Sequence, residues 1–349
     1  METLFLVCLT MALAVLFGWC FQCLPKERWQ ILGSVPTRRH GDGRWEGVNL
    51  TYYGLFNALA YTFATAIAFV LMASLDVDPM GILAIALAML GICMPSSKLI
   101  ARLVEKKPAT FSVGAAAFVG IVLGPWLIAT LQIMADGYLD LDLPVMAAMA
   151  ALAIAYAFGE GVGRLACISF GCCYGRALTN LPAPLQSILS PWCFIFEGKT
   201  RKIAYASGLD GKKVVPIQAM TAVLYSLSGL IGMWLFLWGH YRAAFLEALL
   251  FTQLWRFVSE FLRADFRGTS KISAYQIMGL LGCLYAFAVA FYFPSAGVPR
   301  PVLMSGLQKL WRPESLLFLQ GIALVTFLYT GRSQVTGATI HFHVRTKMV

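Results

Sequence analysis

The sequence predicts an all-α fold: a polytopic membrane helix bundle of about nine transmembrane helices. Three observations carry that prediction. Hydrophobic residues make up 59% of the 349 residues and charged ones only 13%, about half the charge of an ordinary soluble domain. The apolar residues gather into nine runs, at 3–24, 50–74, 79–96, 110–134, 144–168, 217–238, 244–262, 274–293 and 314–331. Most approach the ~20 residues that span a hydrocarbon core. Finally, the basic residues alternate in sidedness: 21 of the 27 Lys and Arg lie in the loops after the first, third, fifth, seventh and ninth runs. Only Arg242, Arg300, Lys309 and Arg312 lie in the other loops. Helices follow because a backbone crossing lipid must satisfy its polar groups within its own segment.

Run 3–24 lacks a basic leader and a small-x-small cleavage site, so it reads as a retained anchor helix rather than a signal peptide. Residues 25–49 are basic and carry Trp29 and Trp45, a composition suited to lipid headgroups. The runs 79–96 and 314–331 are short for a span. Between 176 and 216 come Pro182, Pro184, Pro191 and Pro216 and a Leu-Asp-Gly-Lys-Lys turn. This stretch reads as a small irregular head with a hairpin around Asp210-Gly211. The tail 332–349 alternates weakly and reads as an edge strand or a disordered end. The expected division is an anchor helix with a basic loop (1–49), a seven-helix core (50–293) bearing the head, and an extra helix with a basic tail (294–349).

The net charge is +10, but it is spread over short loops, which excludes a nucleic-acid surface. The charge bias puts the basic side in the cytoplasm. Nine cysteines are scattered, with Cys20 and Cys23 forming one CxxC but no second one to complete a CxxC…CxxC set, so no structural zinc site is expected from spacing. Vicinal Cys172-Cys173 is open to metal, a strained disulfide or simple packing. The run Gly159-Glu-Gly-Val-Gly follows a helix rather than a strand, which excludes a dinucleotide cradle. No cofactor motif is present.

Chemistry concentrates where charges enter apolar runs. Such a residue costs about 3 kcal/mol at the bilayer centre, so it marks a partner, a cavity or a ligand. Glu160 and Arg164 are spaced i,i+4, and Arg256, Glu260 and Arg263 run i, i+4, i+7, a spacing that shares one helix face. One reading is a structural salt-bridge set. The sharper one is a phosphate clamp, since guanidinium offers a bidentate fork and never loses its proton.

At these residues the chain resembles the prolipoprotein diacylglyceryl transferases. Gly163-Arg164, Gly171 and Gly175 keep the spacing of that family's signature. Thr51-Tyr52-Tyr53-Gly54-Leu55-Phe56, Pro216-Ile217-Gln218, Arg256-Phe257-Val258-Ser259-Glu260-Phe261-Leu262-Arg263 and Gln276 resemble its other motifs, in order, over 50–293. The resemblance implies transfer of a diacylglyceryl group from phosphatidylglycerol to a lipoprotein cysteine thiol, releasing glycerol phosphate, in the bacterial inner membrane. It implies a phospholipid donor and a prolipoprotein acceptor as partners. The expected roles are Arg164 and Arg256 on the phosphate, Glu260 orienting Arg256, and Arg263 guiding the headgroup. Glu160 is the expected base, and Tyr53, Gly171, Gly175, Gln218 and Gln276 bind substrate.

The chain also departs from the family. Its His-Gly-Gly-Leu helix aligns with Phe111-Ser112-Val113-Gly114-Ala115-Ala116, without histidine. The signature's Asn is Cys167, its Glu is Cys172, and the Glu after Pro-x-Gln is Thr221. The family's signature faces the periplasm, whereas the charge bias here points it to the cytoplasm. Two further readings stay open: a related transferase with another acceptor, and a non-catalytic lipid-binding or transport protein.

Overall fold

The computed structural model describes residues 1–105, 113–135, 144–265, 272–295 and 297–348. Phe111, Ser112 and the acidic loop at 136–143 lie outside them. Described in chain order, α1 (Glu2–Cys23) leads into a hairpin of β1 (Ile31–Arg39) and β2 (Trp45–Thr51). Four helices follow: α2 (Tyr52–Ala73), α3 (Pro79–Glu105), α4 (Val113–Ala135) and α5 (Val145–Phe170). The head contains α6 (Ala183–Leu189), β3 (Phe194–Ile195), α7 (Lys202–Ser207) and β4 (Lys213–Val214). Then come α8 (Ile217–Leu237), α9 (Tyr241–Ser259), α10 (Ala274–Tyr292), α11 (Leu303–Leu310), α12 (Pro313–Thr330) and β5 (Arg332–Ile340).

Among the described residues, each predicted apolar run has a helix as its body. Eight of them are long and apolar enough to cross a membrane: α1 to α5, α8, α10 and α12. The ninth, α9, carries Arg242, Glu247, Gln253 and Arg256 among its 19 residues. Gln253 and Arg256 are buried and Glu247 half-buried where α9 packs among α5, α8 and α10, while Arg242 sits exposed in the first turn. At the centre stands α5, 78% of whose span is buried in the protein. Its alanines and glycines let neighbours approach closely, which is how helices associate where lipid is as apolar as leucine. A Cβ on Gly161 would lie 2.8 Å from Ser226 Oγ of α8.

Residues 25–49 fold largely into a hairpin rather than a bare loop, and the tail opens with a strand at a sheet edge, one of its two expected forms. β1, β2 and β5 form one antiparallel sheet in that order, with Trp45 opposite Ile340 and Leu50 opposite Arg332. The sheet pairs chain segments from before and after the helical core, a long-range register that local alternation cannot reveal. The head is also more ordered than an irregular loop. β3 pairs antiparallel with β4, and Asp210-Gly211 lies in the connection between them, with Gly211 at φ 72°.

Arg201 pins this assembly together. Its side chain is fully buried and donates to five backbone carbonyls at 2.5–3.0 Å: Leu24, Lys26, Ile168, Ser169 and Glu197. It thereby joins the ends of α1 and α5 to the head. Burial pulls the guanidinium down to about 10 while Glu197 and Glu27 oppose the fall, so it stays charged at neutral pH.

Candidate functional site

A cavity of about 1050 Å³ runs between α2, α3, α4, α5 and α9. Away from the head its walls are apolar, with Phe69, Met72, Ile82, Leu83 and Met89. At the head end it meets Arg164, Arg256, Arg263, Lys202 and Tyr205, and Arg332 to Val335 of β5 line that end as well. Its size and lining suit a molecule with long apolar chains and an anionic head. A second, water-sized gap of about 10 Å³ is lined by Arg164, Gln218, Tyr225, Arg256, Ser259 and Arg263. Three arginines therefore converge where the two spaces approach each other.

Each arginine is held differently. Arg164 forms a salt bridge to Glu160 one turn back on α5, and its Nε has no hydrogen-bond partner among the described residues. This contact leaves the Glu160 carboxylate engaged by a guanidinium rather than free to act as the expected base. Arg256 has no carboxylate partner among the described residues, and its Nε and Nη1 are buried without a hydrogen bond. Its guanidinium lies 5.8 Å from the Tyr275 ring centre and against Gly114 of α4, where a Cβ would overlap it. A buried cation with unmet donors is costly. An anionic ligand satisfies both needs. Gly114→Ala is expected to displace Arg256 and lower any turnover by roughly 10²-fold, the usual penalty for misplacing a catalytic group by about 1 Å. Steady-state kinetics alongside a melting curve would check it.

Arg263 departs from expectation. It binds Asp265 bidentately, Nε and Nη2 each at 2.8 Å, and its Nη1 lies 3.7 Å from Glu260. Glu260 thus braces Arg263 rather than Arg256. The reason is local: α9 ends at Ser259 and the next turn tightens to a 3-10 helix, which breaks the i,i+4 face. Arg263 is side-chain buried at 7% exposure, so it is a fixed wall of the cavity and not a surface guide.

The remaining expected residues divide. Tyr53 lines the large cavity and packs its ring 5.5 Å from Phe170. Gln218 lines the small gap, donating from Nε2 to the Cys172 carbonyl at 2.9 Å while its Oε1 stays unpartnered. Gly171, Gly175 and Gln276 do not line either space. Gly171 ends α5 in the left-handed conformation at φ 69°, which glycine adopts without strain. Gly175 is squeezed between Arg263, its antiparallel bridge partner, and Val215, whose carbonyl oxygen a Cβ would meet at 2.5 Å. Gln276 closes a capping box with Ser273 at the start of α10 and donates to the Phe257 carbonyl. These three build the site's frame instead of touching its contents.

Sequence reasoning missed Lys202, Tyr205 and Asp265 in the cavity wall, and Arg201 beneath it. The basic run Lys199-Thr200-Arg201-Lys202 was the available signal, and it reads as an ordinary solvated loop. The two described carboxylates that line the large cavity, Glu160 and Asp265, are each held by an arginine.

A family model described as prolipoprotein diacylglyceryl transferase matches residues 44–292, more than half of the chain. No curated protein matches it.

Proposed function

Because the chain belongs to the prolipoprotein diacylglyceryl transferase family, we propose that it moves the diacylglyceryl group of phosphatidylglycerol to a cysteine thiol of a lipoprotein in the bacterial inner membrane. The observation that most supports this reading is Arg256, a buried guanidinium with unmet donors facing Arg164 across the head of an apolar cavity. In the transfer, the acceptor sulfur bonds to the glycerol carbon. The bond from that carbon to the phosphate oxygen breaks, its electron pair stays with the phosphate, and glycerol phosphate leaves. The thiol proton goes to a base. The phosphate gains negative charge as the bond breaks, and positioned guanidinium groups stabilise that charge more than the ground state. Arg164 and Arg256 are assigned this work. Arg263, Glu260 and Asp265 keep the wall rigid, and Tyr53 and Gln218 border the headgroup.

The test uses purified protein and headgroup-labelled phosphatidylglycerol. Release of labelled glycerol phosphate that requires a peptide bearing a lipobox cysteine supports the reading. Release only with other acceptors replaces the acceptor, and lipid binding without release makes the protein a lipid carrier. Labelling of Asp210→Cys by a membrane-impermeant thiol reagent decides the leaflet. Labelling in intact cells puts the head outside, as in the family, and labelling only after lysis agrees with the charge bias.

A further inference from the structure

The described carboxylates lining the cavity are occupied by arginines, and the histidine and glutamates of the family pattern are missing. The displacement nevertheless needs a deprotonated thiol. The same stretch of chain offers another means. Cys167 on the last turn of α5 and Cys172 and Cys173 just beyond Gly171 all line the large cavity. Their three sulfur atoms lie within 4.8 Å of one another. Two features of the backbone create this cluster. The left-handed Gly171 turns the chain back on α5, so that the Cys172 amide bonds the Cys167 carbonyl at 3.0 Å. Cys173, at φ 55°, takes a second left-handed step that side chains rarely adopt. The turn therefore folds three scattered thiols to one point of the cavity wall.

We propose that Cys167, Cys172 and Cys173 hold one thiophilic metal ion, zinc by preference, whose fourth position faces the cavity and takes the acceptor thiol. This rests on the transferase reading for the acceptor, but the metal site itself does not. Zinc bonds sulfur at about 2.3 Å, which puts two sulfurs of a tetrahedral site ~3.8 Å apart. The cluster needs to contract by only roughly 1 Å to meet that spacing. Three protein ligands with one open position is the arrangement of reactive rather than structural zinc. Zinc with three thiolates carries one negative charge. Lys202, which lines the same cavity and whose charge interacts with Cys172 and Cys173, offsets it. A thiol at the open position would give its proton to water. Its sulfur would bond to the glycerol carbon as that carbon's bond to the phosphate oxygen breaks. Glycerol phosphate would leave with the electron pair, and the thioether product would leave the metal. The metal would thus do the work for which the described residues of the cavity wall offer no free carboxylate. Two of the three cysteines occupy the places of the family's Asn and Glu, so the substitutions that remove one chemistry supply the other.

The experiment uses the full-length protein in nanodiscs under reductant, loaded with Zn²⁺ and passed through a desalting column. One zinc per chain by mass spectrometry is expected, falling at least tenfold in Cys167→Ser and in Cys172→Ser but not in Cys193→Ser. Far-UV circular dichroism controls for folding. Protection of the three cysteines from alkylation by zinc in the unaltered protein gives the same answer without any variant. Replacement by Co²⁺ should give sulfur-to-cobalt charge transfer and tetrahedral visible bands that shift with a cysteine peptide and not with its serine counterpart. Sub-stoichiometric zinc, or zinc indifferent to both variants, overturns the site. A cobalt spectrum blind to the cysteine peptide overturns the acceptor's place on it. Glycerol phosphate release that survives complete chelation also overturns the proposal and leaves the transferase reading intact. Zinc and thiol binding with no release under any condition defeats the transferase reading instead.

Discussion

Replacing Arg256 by alanine is expected to lower glycerol phosphate release by about 10²–10³-fold, in line with the loss of one preorganised donor to a developing oxyanion. Arg256 should matter more than Arg164. The charge of Arg164 is partly committed to Glu160, whereas Arg256 has donors that nothing among the described residues meets. Arg256→Lys should restore only part of the rate, because an ammonium keeps the charge but loses the planar fork. The effect should fall mainly on kcat, since the interaction strengthens as the phosphate gains charge. The melting temperature should not drop, as removing a buried cation that has no carboxylate partner among the described residues relieves a desolvation cost. If Arg256→Ala retains full turnover, the phosphate clamp is misassigned.

The second large effect is on stability. Arg201→Met is expected to destabilise the protein by about 3 kcal/mol or more, since each buried acceptor left without its donor costs about 1–3 kcal/mol. Five carbonyls from three parts of the chain lose their common donor at once. Arg201→Lys should rescue little, because one ammonium has three donors. Thermal unfolding in detergent, with protease cleavage of the head as a second readout, would check this. Clipping between 176 and 216 well below the melting point would place the damage where Arg201 holds the head to the helices. An unchanged melting temperature would mean that the network carries no net stability.

The helical bundle was legible from residue runs alone, because hydropathy over twenty residues reports directly on a span. Even α9 showed itself, although its charges leave it short of the hydropathy of the others. The sheet was not legible. β2 and β5 pair across the entire helical core, and nothing local in Trp45–Thr51 names its partner. In the site, Arg164 and Arg256 stood out because a charge in an apolar run demands an explanation. Their partners were harder. The spacing of Arg256 and Glu260 implied one face, and the tightened turn after Ser259 moved Glu260 to Arg263. Gly171, Gly175 and Gln276 matched motif positions and were read as substrate contacts. Their effect is one step removed, through a reversed turn, a squeezed strand and a helix cap. The cysteine cluster was hidden for a similar reason: along the chain Cys167 and Cys172 look unrelated, and only the reversal at Gly171 brings them together.

β5 has a consequence for how the cavity is walled. Arg332, Ser333, Gln334 and Val335 line the head end of the cavity, and they follow α12 in the chain. Their strand pairs with β2, which precedes every helix of the core. This wall is therefore assembled from both sides of the bundle at once, and cutting the chain before Arg332 would remove it while leaving each helix its own hydrogen bonds.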